Sequence, residues 1–210
     1  MKHFTLPLEG GLIEKNIPFD ILHSFENINT NIYDDSTSAS EVIADIIIKA
    51  IKDNEAGAAA STFKLGLTTG VTPVSLYKWL VKKYSQGEVS FKNVEVFSID
   101  EYYPSSKDEE QSRNHRLHKE FLNQVDIKKS NIHIPDGTVP QEKISQYCDK
   151  FDKMARGLDL LVMGIGEQGQ VGFNEAGTSD KSRTRTVLLP YNSRKRQARN
   201  FNGDVKNTPK

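Results

Sequence analysis

The sequence has almost no cysteine and no excess of either charge. A single cysteine, Cys148, occurs in 210 residues, which excludes an internal disulfide framework and is typical of a reducing compartment. It falls in an apolar stripe at helical spacing, which predicts a buried packing role instead of a catalytic thiol. Lysine plus arginine and aspartate plus glutamate number 28 each, so the chain as a whole has no basic field that would attract nucleic acid or anionic lipid. We therefore expect no nucleic-acid partner, and any site for an anion must be local.

Long apolar runs are also missing. No segment approaches the roughly 20 apolar residues that a membrane-spanning helix needs, and the first thirty residues lack the pattern of a signal peptide. We therefore expect no membrane partner and a cytoplasmic location. Residues 1–29 mix proline and glycine with short apolar pairs, which predicts an N-terminal arm packed on the domain. Residues 30–210 are long enough for one sizeable core and are predicted to form a single domain.

The sequence does contain short apolar runs that alternate with amphipathic segments. Their periodicity predicts strands over residues 31–34, 63–67, 94–99 and 158–163, the last of them fully buried. Helices are predicted to begin at a capping box of Ser38 and Glu41 and at Thr72-Pro73, and to span residues 115–123 and 141–155. Strands separated by helices indicate right-handed crossovers. The predicted fold class is α/β, with a mainly parallel sheet and helices on both faces in a Rossmann-like three-layer sandwich.

Ligands of such sheets bind at the carboxyl ends of the strands, where three segments of this chain should converge. The strand over residues 63–67 leads into LTTGVTP, whose hydroxyl and backbone N–H groups at a helix N-terminus either bind a phosphate or simply cap the helix. The next strand leads into Asp100 and Glu101. These adjacent acids are either a general base with a raised pKa at a cleft or solvated acids in a surface turn.

The last predicted strand leads into a glycine-rich loop, MGIGEQGQVGFNEAG. Gly164, Gly166 and Gly169 match the dinucleotide fingerprint, which requires a helix to begin at that point. Gly172 and Gly177 continue the loop instead, so we do not predict a dinucleotide cofactor. None of the five histidines falls at the three loops or has the neighbours of a zinc site. We expect neither a cofactor nor a metal.

Taken together, five segments resemble the glucosamine-6-phosphate deaminases, within the wider group that includes the 6-phosphogluconolactonases. The segments are LGLTTGVTP, FKNVEVFSIDEYYP, NIHIPDGTVP, LVMGIGEQGQVGFNEAG and SRTRTV. The sequence Asp100-Glu101-Tyr102 is similar to deaminases, where lactonases usually have arginine at the tyrosine position. The stretch DEYYP and the N-terminal arm resemble most the deaminase-like domain of a longer bacterial form. The resemblance implies a small sugar phosphate as the partner, and we expect a homo-oligomer.

The resemblance also implies roles for particular residues. Asp100 is the base that moves a proton between C2 and C1 of the opened amino sugar, and Glu175 is the carboxylate that orients the ring-opening group. The 6-phosphate would be bound by Thr69, Gly70, Val71, Thr72 and Arg199.

The chain departs from the family pattern at Gly169-Gln170, where the family reads Gly-His. An amide cannot exchange a proton near neutral pH as imidazole does. The first hypothesis is therefore a weakened aminosugar-6-phosphate deaminase/isomerase, and the alternative is an inactive homologue that binds the sugar phosphate. Val71 also replaces a small residue of the phosphate loop. The sequence ends before the next helix and strands of the family, so the domain is predicted to be truncated at its C-terminus, with an exposed sheet edge.

Overall fold

A computed structural model describes residues 30–57 and 61–209. The chain divides into two compact units, residues 1–33 and 34–210. The arm predicted over residues 1–29 lies outside the described residues. The strand predicted over residues 31–34 is wrong, because residues 30–33 have neither helix nor strand structure. Ile32 is 88% exposed, so this short segment has no apolar surface to pair against.

The described part of residues 34–210 forms an α/β fold, as predicted. The helices are α1 (Ser36–Ala56), α2 (Val74–Ser85), α3 (Arg113–Glu120), α4 (Ile144–Met154) and α5 (Tyr191–Gln197), and the strands are β1 (Phe63–Leu67), β2 (Val94–Ser98), β3 (Ile132–His133) and β4 (Leu160–Leu161). The strand order is β3-β2-β1-β4, and every pairing is parallel. Among the described residues, no helix is both long enough and apolar enough to cross a membrane.

The two central strands carry the core because both of their faces are covered. They pair in register from Phe63 with Val94 to Leu67 with Ser98. Alternate side chains of a strand point to opposite faces. One face packs on α1 and α2 in a buried cluster that includes Phe63, Leu65, Leu67, Val94, Val96, Ile47, Ile51, Leu76 and Leu80. On the other face, Phe97 meets Phe151 of α4 with ring centroids 6.3 Å apart. Helices therefore lie on both faces of the sheet.

The beginning of α1 differs from the prediction. Asp35 caps this helix, since its Oδ1 accepts hydrogen bonds from the backbone N–H groups of Thr37 at 2.7 Å and Ser38 at 2.8 Å. The predicted capping box of Ser38 and Glu41 is therefore wrong. A carboxylate satisfies the free N–H groups of a helix N-terminus well, and Asp35 lies three positions before the serine. The helix begins correspondingly earlier.

The last strand is an edge strand, which contradicts the prediction of a fully buried strand over residues 158–163. Only Leu160 and Leu161 pair with the sheet, and their sole partner among the described strands is β1. Leu161 is 39% exposed and Met163 is 50% exposed, because no described strand lies beyond β4. Among the described strands, β4 therefore lies at an edge of the sheet.

Cys148 on α4 is a buried free thiol, as its apolar stripe predicts. Helix α4 itself follows a 3₁₀ turn over Gln141–Lys143, so the predicted helix over residues 141–155 begins with a tighter turn. The helix predicted over residues 115–123 is α3, which begins two residues earlier and gives way to a second 3₁₀ turn over Leu122–Gln124.

Candidate functional site

A cleft of about 1350 Å³ opens where the strands end. Its walls include residues 99–103 after β2, residues 135–137 after β3 and residues 173–180 after β4. Two of the three strand ends that the sequence predicted to converge therefore meet here. The third, residues 68–72 after β1, is not among the lining residues.

Asp100 lies in this cleft with an almost fully buried carboxylate. Its side chain is 10% exposed, and its Oδ1 atom is buried without a hydrogen-bond partner in the described part of the chain. Burial raises the pKa of Asp100, the Arg113 guanidinium opposes this by lowering it, and the negative charge of Glu101 raises it further. The net direction is upward, and a carboxylate with a raised pKa is a better proton acceptor than an exposed one.

The glycine loop after β4 approaches the same carboxylate. A Cβ atom at Gly172 would lie 3.2 Å from Asp100 Oδ2, and the φ angle of Gly172 is +57°. Both the space and the backbone conformation therefore favour glycine at this position. The absence of a side chain at Gly172 therefore allows the loop after β4 to come close to Asp100, which follows β2.

Glu101 has a different environment from its neighbour. Its two carboxylate oxygens accept hydrogen bonds from the backbone N–H groups of Tyr102 at 2.7 Å, Arg113 at 3.0 Å and Asn114 at 2.9 Å, and from the Ser112 hydroxyl at 2.8 Å. Three of these donors belong to the N-terminal end of α3, where backbone N–H groups have no partner within the helix. Glu101 therefore ties the strand end to α3.

Arg113 is the cation beside Asp100, and no motif of the sequence indicates this role. Its Nε atom lies 3.9 Å from Asp100 Oδ1, and its side chain is 6% exposed. The guanidinium lies over two aromatic rings, 4.9 Å from the centroid of Tyr102 and 5.2 Å from that of Phe173. Arg113 comes from a polar stretch without periodicity, so nothing in the sequence distinguishes it from the neighbouring Arg116.

Glu175 also lines the cleft, and α5 holds its carboxylate. The Ser193 hydroxyl donates a hydrogen bond to Glu175 Oε1. Arg196 Nη2 lies 3.9 Å from the same oxygen and donates to Ser193 Oγ at 2.6 Å. The sequence predicted Glu175 but neither of its two supporting residues, because they belong to a short polar helix 18 or more positions further along.

Gln170 turns towards its own loop. Its Oε1 atom accepts a hydrogen bond from the backbone N–H of Gln168 at 3.0 Å, and its amide group occupies the space that a side chain at Gly166 would need. Gln170 is not among the residues that line the cleft, whereas its neighbours Gly169 and Val171 are.

The residues predicted to bind phosphate lie in two places. Thr69 is buried, and its Oγ1 atom has no hydrogen-bond partner among the described residues. Gly70 has a φ angle of +149°, and Val71 is 65% exposed. Thr72 and Arg199 are exposed, Arg199 on a 3₁₀ turn that follows α5. None of these five residues is among those that line the cleft.

The described residues contain no group of three or more histidine, cysteine or acidic side chains that could hold a metal ion.

The model of the family described as glucosamine-6-phosphate isomerases/6-phosphogluconolactonase matches residues 34–197. The glucosamine-6-phosphate deaminase of Aedes aegypti is 37% identical over 182 residues, which are 85% of this chain and 64% of that protein. A putative glucosamine-6-phosphate deaminase-like protein of Bacteroides thetaiotaomicron is 34% identical over 192 residues, which are 90% of this chain and 28% of that protein. The chain thus spans less than two thirds of the length of both relatives.

A solved structure supports the same assignment. The fold matches that of a monomeric glucosamine-6-phosphate deaminase of the NagB superfamily with a TM-score of 0.76 and 30% sequence identity, covering 84% of this chain and 70% of the other. The family match covers well over half of the chain, and the fold match to a solved deaminase agrees with it. The chain belongs to the glucosamine-6-phosphate isomerase/6-phosphogluconolactonase family.

Proposed function

We propose that the chain is an aminosugar-6-phosphate deaminase/isomerase that converts glucosamine-6-phosphate to fructose-6-phosphate and ammonia. The observation that carries this proposal is the buried carboxylate of Asp100, which lies at the strand-end cleft and whose Oδ1 has no hydrogen-bond donor among the described residues. The relative from Aedes aegypti, 37% identical to this chain, is a glucosamine-6-phosphate deaminase, which supports the choice of substrate.

In the proposed reaction, Asp100 removes the proton from C2 of the open-chain amino sugar. The electron pair of the C–H bond forms a C1–C2 double bond, and the aldehyde oxygen takes up a proton. Asp100 then returns its proton to C1, which leaves a protonated imine at C2. Water adds to this imine, ammonia leaves, and the ketose phosphate remains. General acid–base assistance of this kind contributes about 10²- to 10⁴-fold to a rate.

We propose that turnover is slow because Gln170 occupies the position of the ring-opening histidine. An amide side chain does not take up or release protons near neutral pH, so the closed sugar must open without this assistance. In this proposal Glu175 keeps its carboxylate in the cleft, where its contacts with Ser193 and Arg196 hold it in place.

We also propose that the 6-phosphate binds to the turn after β1 and to Arg199. The unpartnered hydroxyl of Thr69 and the positive φ angle of Gly70 support this part of the proposal, since both suit a backbone that approaches an anion. Arg199 offers an exposed guanidinium, which binds phosphate well. The site contributed by these loops comprises Thr69, Gly70, Val71, Thr72 and Arg199.

A coupled assay that measures both fructose-6-phosphate and ammonia tests the proposal. Asp100→Asn is expected to lower the rate by at least about 100-fold while sugar-phosphate binding, measured by calorimetry, stays within a few-fold of wild type. Gln170→His should raise the rate about 100-fold. Galactosamine-6-phosphate, assayed in parallel, determines which configuration at C4 the site accepts.

The alternative function is binding of the same sugar phosphate without catalysis. The glutamine at position 170 favours this alternative. It is correct if wild type and Asp100→Asn are equally inactive while glucosamine-6-phosphate binds to both. The enzyme proposal then fails, whereas the proposed phosphate site survives.

We further propose that the chain is cytoplasmic and self-associates. The buried free thiol of Cys148 supports a reducing compartment. A solved relative is a monomeric glucosamine-6-phosphate deaminase, so the proposal of a homo-oligomer rests on this chain's own edge strand β4, where Leu161 is 39% exposed.

A further inference from the structure

We propose that Arg113 is the positioning residue for Asp100: its guanidinium keeps the carboxylate ionised and engages Oδ1, which leaves Oδ2 to accept the substrate proton. The proposal rests on the role of Asp100 as the base in the proposed function.

The distance and burial of the two groups carry the first step. Arg113 Nε and Asp100 Oδ1 lie 3.9 Å apart, with side chains 6% and 10% exposed. Both atoms are buried without a hydrogen-bond partner among the described residues. Buried charges persist only when they are paired, and each of these groups is the other's counter-charge. A closer approach of about 1 Å would convert the ion pair into a hydrogen bond of ordinary length.

Two aromatic rings hold the guanidinium in place. It lies over Tyr102 and Phe173, and these two rings have their centroids 5.1 Å apart. Tyr102 is itself fixed by a hydrogen bond from its hydroxyl to Gln197 Oε1 at 2.8 Å. A planar guanidinium stacks on aromatic rings, whereas a lysine ammonium lacks this geometry. Because Phe173 belongs to the glycine loop, Arg113 also connects that loop to the base.

The other groups around Asp100 do not supply a positive charge. Glu101 is a carboxylate whose oxygens are occupied by the N-terminal end of α3. Tyr77 on α2 and Tyr102 have pKa values that burial raises further, so both phenols stay neutral near pH 7. On its other side, Oδ2 of Asp100 faces Gly172, which offers no side chain. The two carboxylate oxygens of Asp100 thus have different neighbours. Oδ1 lies near the Arg113 guanidinium, and Oδ2 faces Gly172, a residue without a side chain.

The test is a carboxyl-carbon NMR titration of the full chain labelled with ¹³C at aspartate Cγ, with the Asp100 signal assigned by its loss in Asp100→Asn. In Arg113→Met the midpoint of this titration should move up by about one pH unit or more, since a cation at this distance lowers a carboxyl pKa by that amount. Arg113→Gln, which keeps a polar but neutral side chain, should show the same shift. Arg113→Lys should lie between the neutral variants and wild type because a cation remains.

Arg116→Met is the matched control. Arg116 lies on the same helix, is 24% exposed and contacts Glu120 and Asn200, so its removal should leave the midpoint unchanged. The proposal is overturned if both neutral Arg113 variants titrate like wild type, or if Arg116→Met shifts the midpoint as far. Urea unfolding midpoints of all variants show that they are folded.

The titration needs no substrate, so its outcome is independent of turnover. If the titration midpoint of Asp100 shifts in Arg113→Met but the wild type is inactive, the proposed function is contradicted. The electrostatic coupling of Arg113 to Asp100 would still be supported. If the wild type is active, the acid limb of its kcat/KM profile should move upward in Arg113→Met in parallel with the NMR midpoint. A purely structural role of Arg113 would lower the rate without moving this limb.

Discussion

The carboxylates of Asp100 and Glu101 are adjacent in the chain but have opposite surroundings. Glu101 accepts four hydrogen bonds, whereas Oδ1 of Asp100 accepts none among the described residues. Burial without donors disfavours the charged form, so the pKa of Asp100 is raised despite the nearby Arg113. The native state therefore binds the Asp100 proton more tightly than the unfolded chain does.

The raised pKa makes a prediction about stability. Below the pKa of about 4 that an aspartate has in the unfolded chain, Asp100 is mostly protonated in the folded and the unfolded state, and its contribution to stability is fully present. This contribution is lost as the pH rises through the higher pKa of the folded state. Asp100→Asn removes this titration and leaves Arg113 without its counter-charge at every pH, so only the pH dependence of its effect is fixed by the raised pKa. The free energy of unfolding of Asp100→Asn relative to wild type should therefore rise by on the order of 1 kcal/mol between pH 4 and pH 7. Urea denaturation at both pH values measures the difference.

The control for this prediction is Asp108→Asn, which neutralises an exposed aspartate in the following loop. It should alter stability equally at the two pH values. An Asp100→Asn variant whose stability relative to wild type is the same at both pH values would contradict the prediction.

Two glycines of the loop after β4 allow the effect of backbone strain to be distinguished from the effect of contact with Asp100. Gly169 and Gly172 both have positive φ angles, +76° and +57°, but only a Cβ at Gly172 would meet Asp100. Gly169→Ala and Gly172→Ala should each destabilise the protein by about 1–2 kcal/mol because the left-handed conformation disfavours a side chain. Only Gly172→Ala should also reduce deaminase activity, by about tenfold or more, through displacement of the base. Equal activity losses in both variants would contradict the proposed contact.

At the scale of elements, Glu101 anchors α3 to the sheet. Its carboxylate replaces the missing partners of backbone N–H groups at the N-terminus of the helix and so acts as a capping group. Glu101→Ala should lower the free energy of unfolding by about 2 kcal/mol, since hydrogen bonds to a charged acceptor are lost. Glu110→Ala, at an exposed position of the same loop, is the control and should unfold at the wild-type urea concentration. Hydrogen exchange of the α3 amides should accelerate in Glu101→Ala alone.

The sequence predicts the central elements well and the peripheral ones poorly. Strands β1 and β2 are buried on both faces, so their apolar runs are unambiguous, and the prediction for β1 agrees with the structure at both ends. The run over residues 158–163 has the same composition but pairs only at Leu160 and Leu161, because burial of a strand depends on neighbours that its own residues do not encode. Helix α1 begins early for a local reason, since Asp35 competes successfully with Ser38 as the cap.

The candidate site divides in a similar way. Asp100 was predictable because it follows a strand closely, and Glu175 through the resemblance of its glycine loop to the family; both line the cleft. The groups that contact these acids were not predictable. Arg113 on α3 contacts Asp100, and Ser193 and Arg196 on α5 contact Glu175, but no sequence motif marks any of the three. Contacts of this kind are created by the packing of helices against loops. The sequence therefore indicates the acids of the site better than the groups that hold them.

At the scale of the whole molecule, the exposed edge at β4 predicts self-association. A strand edge with unpaired backbone groups and exposed apolar side chains favours pairing with another chain. Sedimentation velocity should show a mass above that of one chain at micromolar concentration, and Leu161→Lys should shift the chain towards the monomer. Ile46→Lys is the control, because Ile46 is similarly exposed, at 37%, but lies on α1. A wild type that stays monomeric throughout the concentration range would contradict the predicted homo-oligomer.

The aromatic cluster around Tyr102 has a consequence for the order in which the protein is made. Tyr102 packs on Phe173 and Phe201, and its hydroxyl binds Gln197, which lies 95 positions further along the chain. Closing a loop of that length requires the distant segment to be present, and domains fold during synthesis only as their residues emerge. A nascent chain on the ribosome therefore carries Asp100 as an ordinary solvated aspartate. We expect the carboxylate of Asp100 to become buried only once the residues near position 201 have been translated.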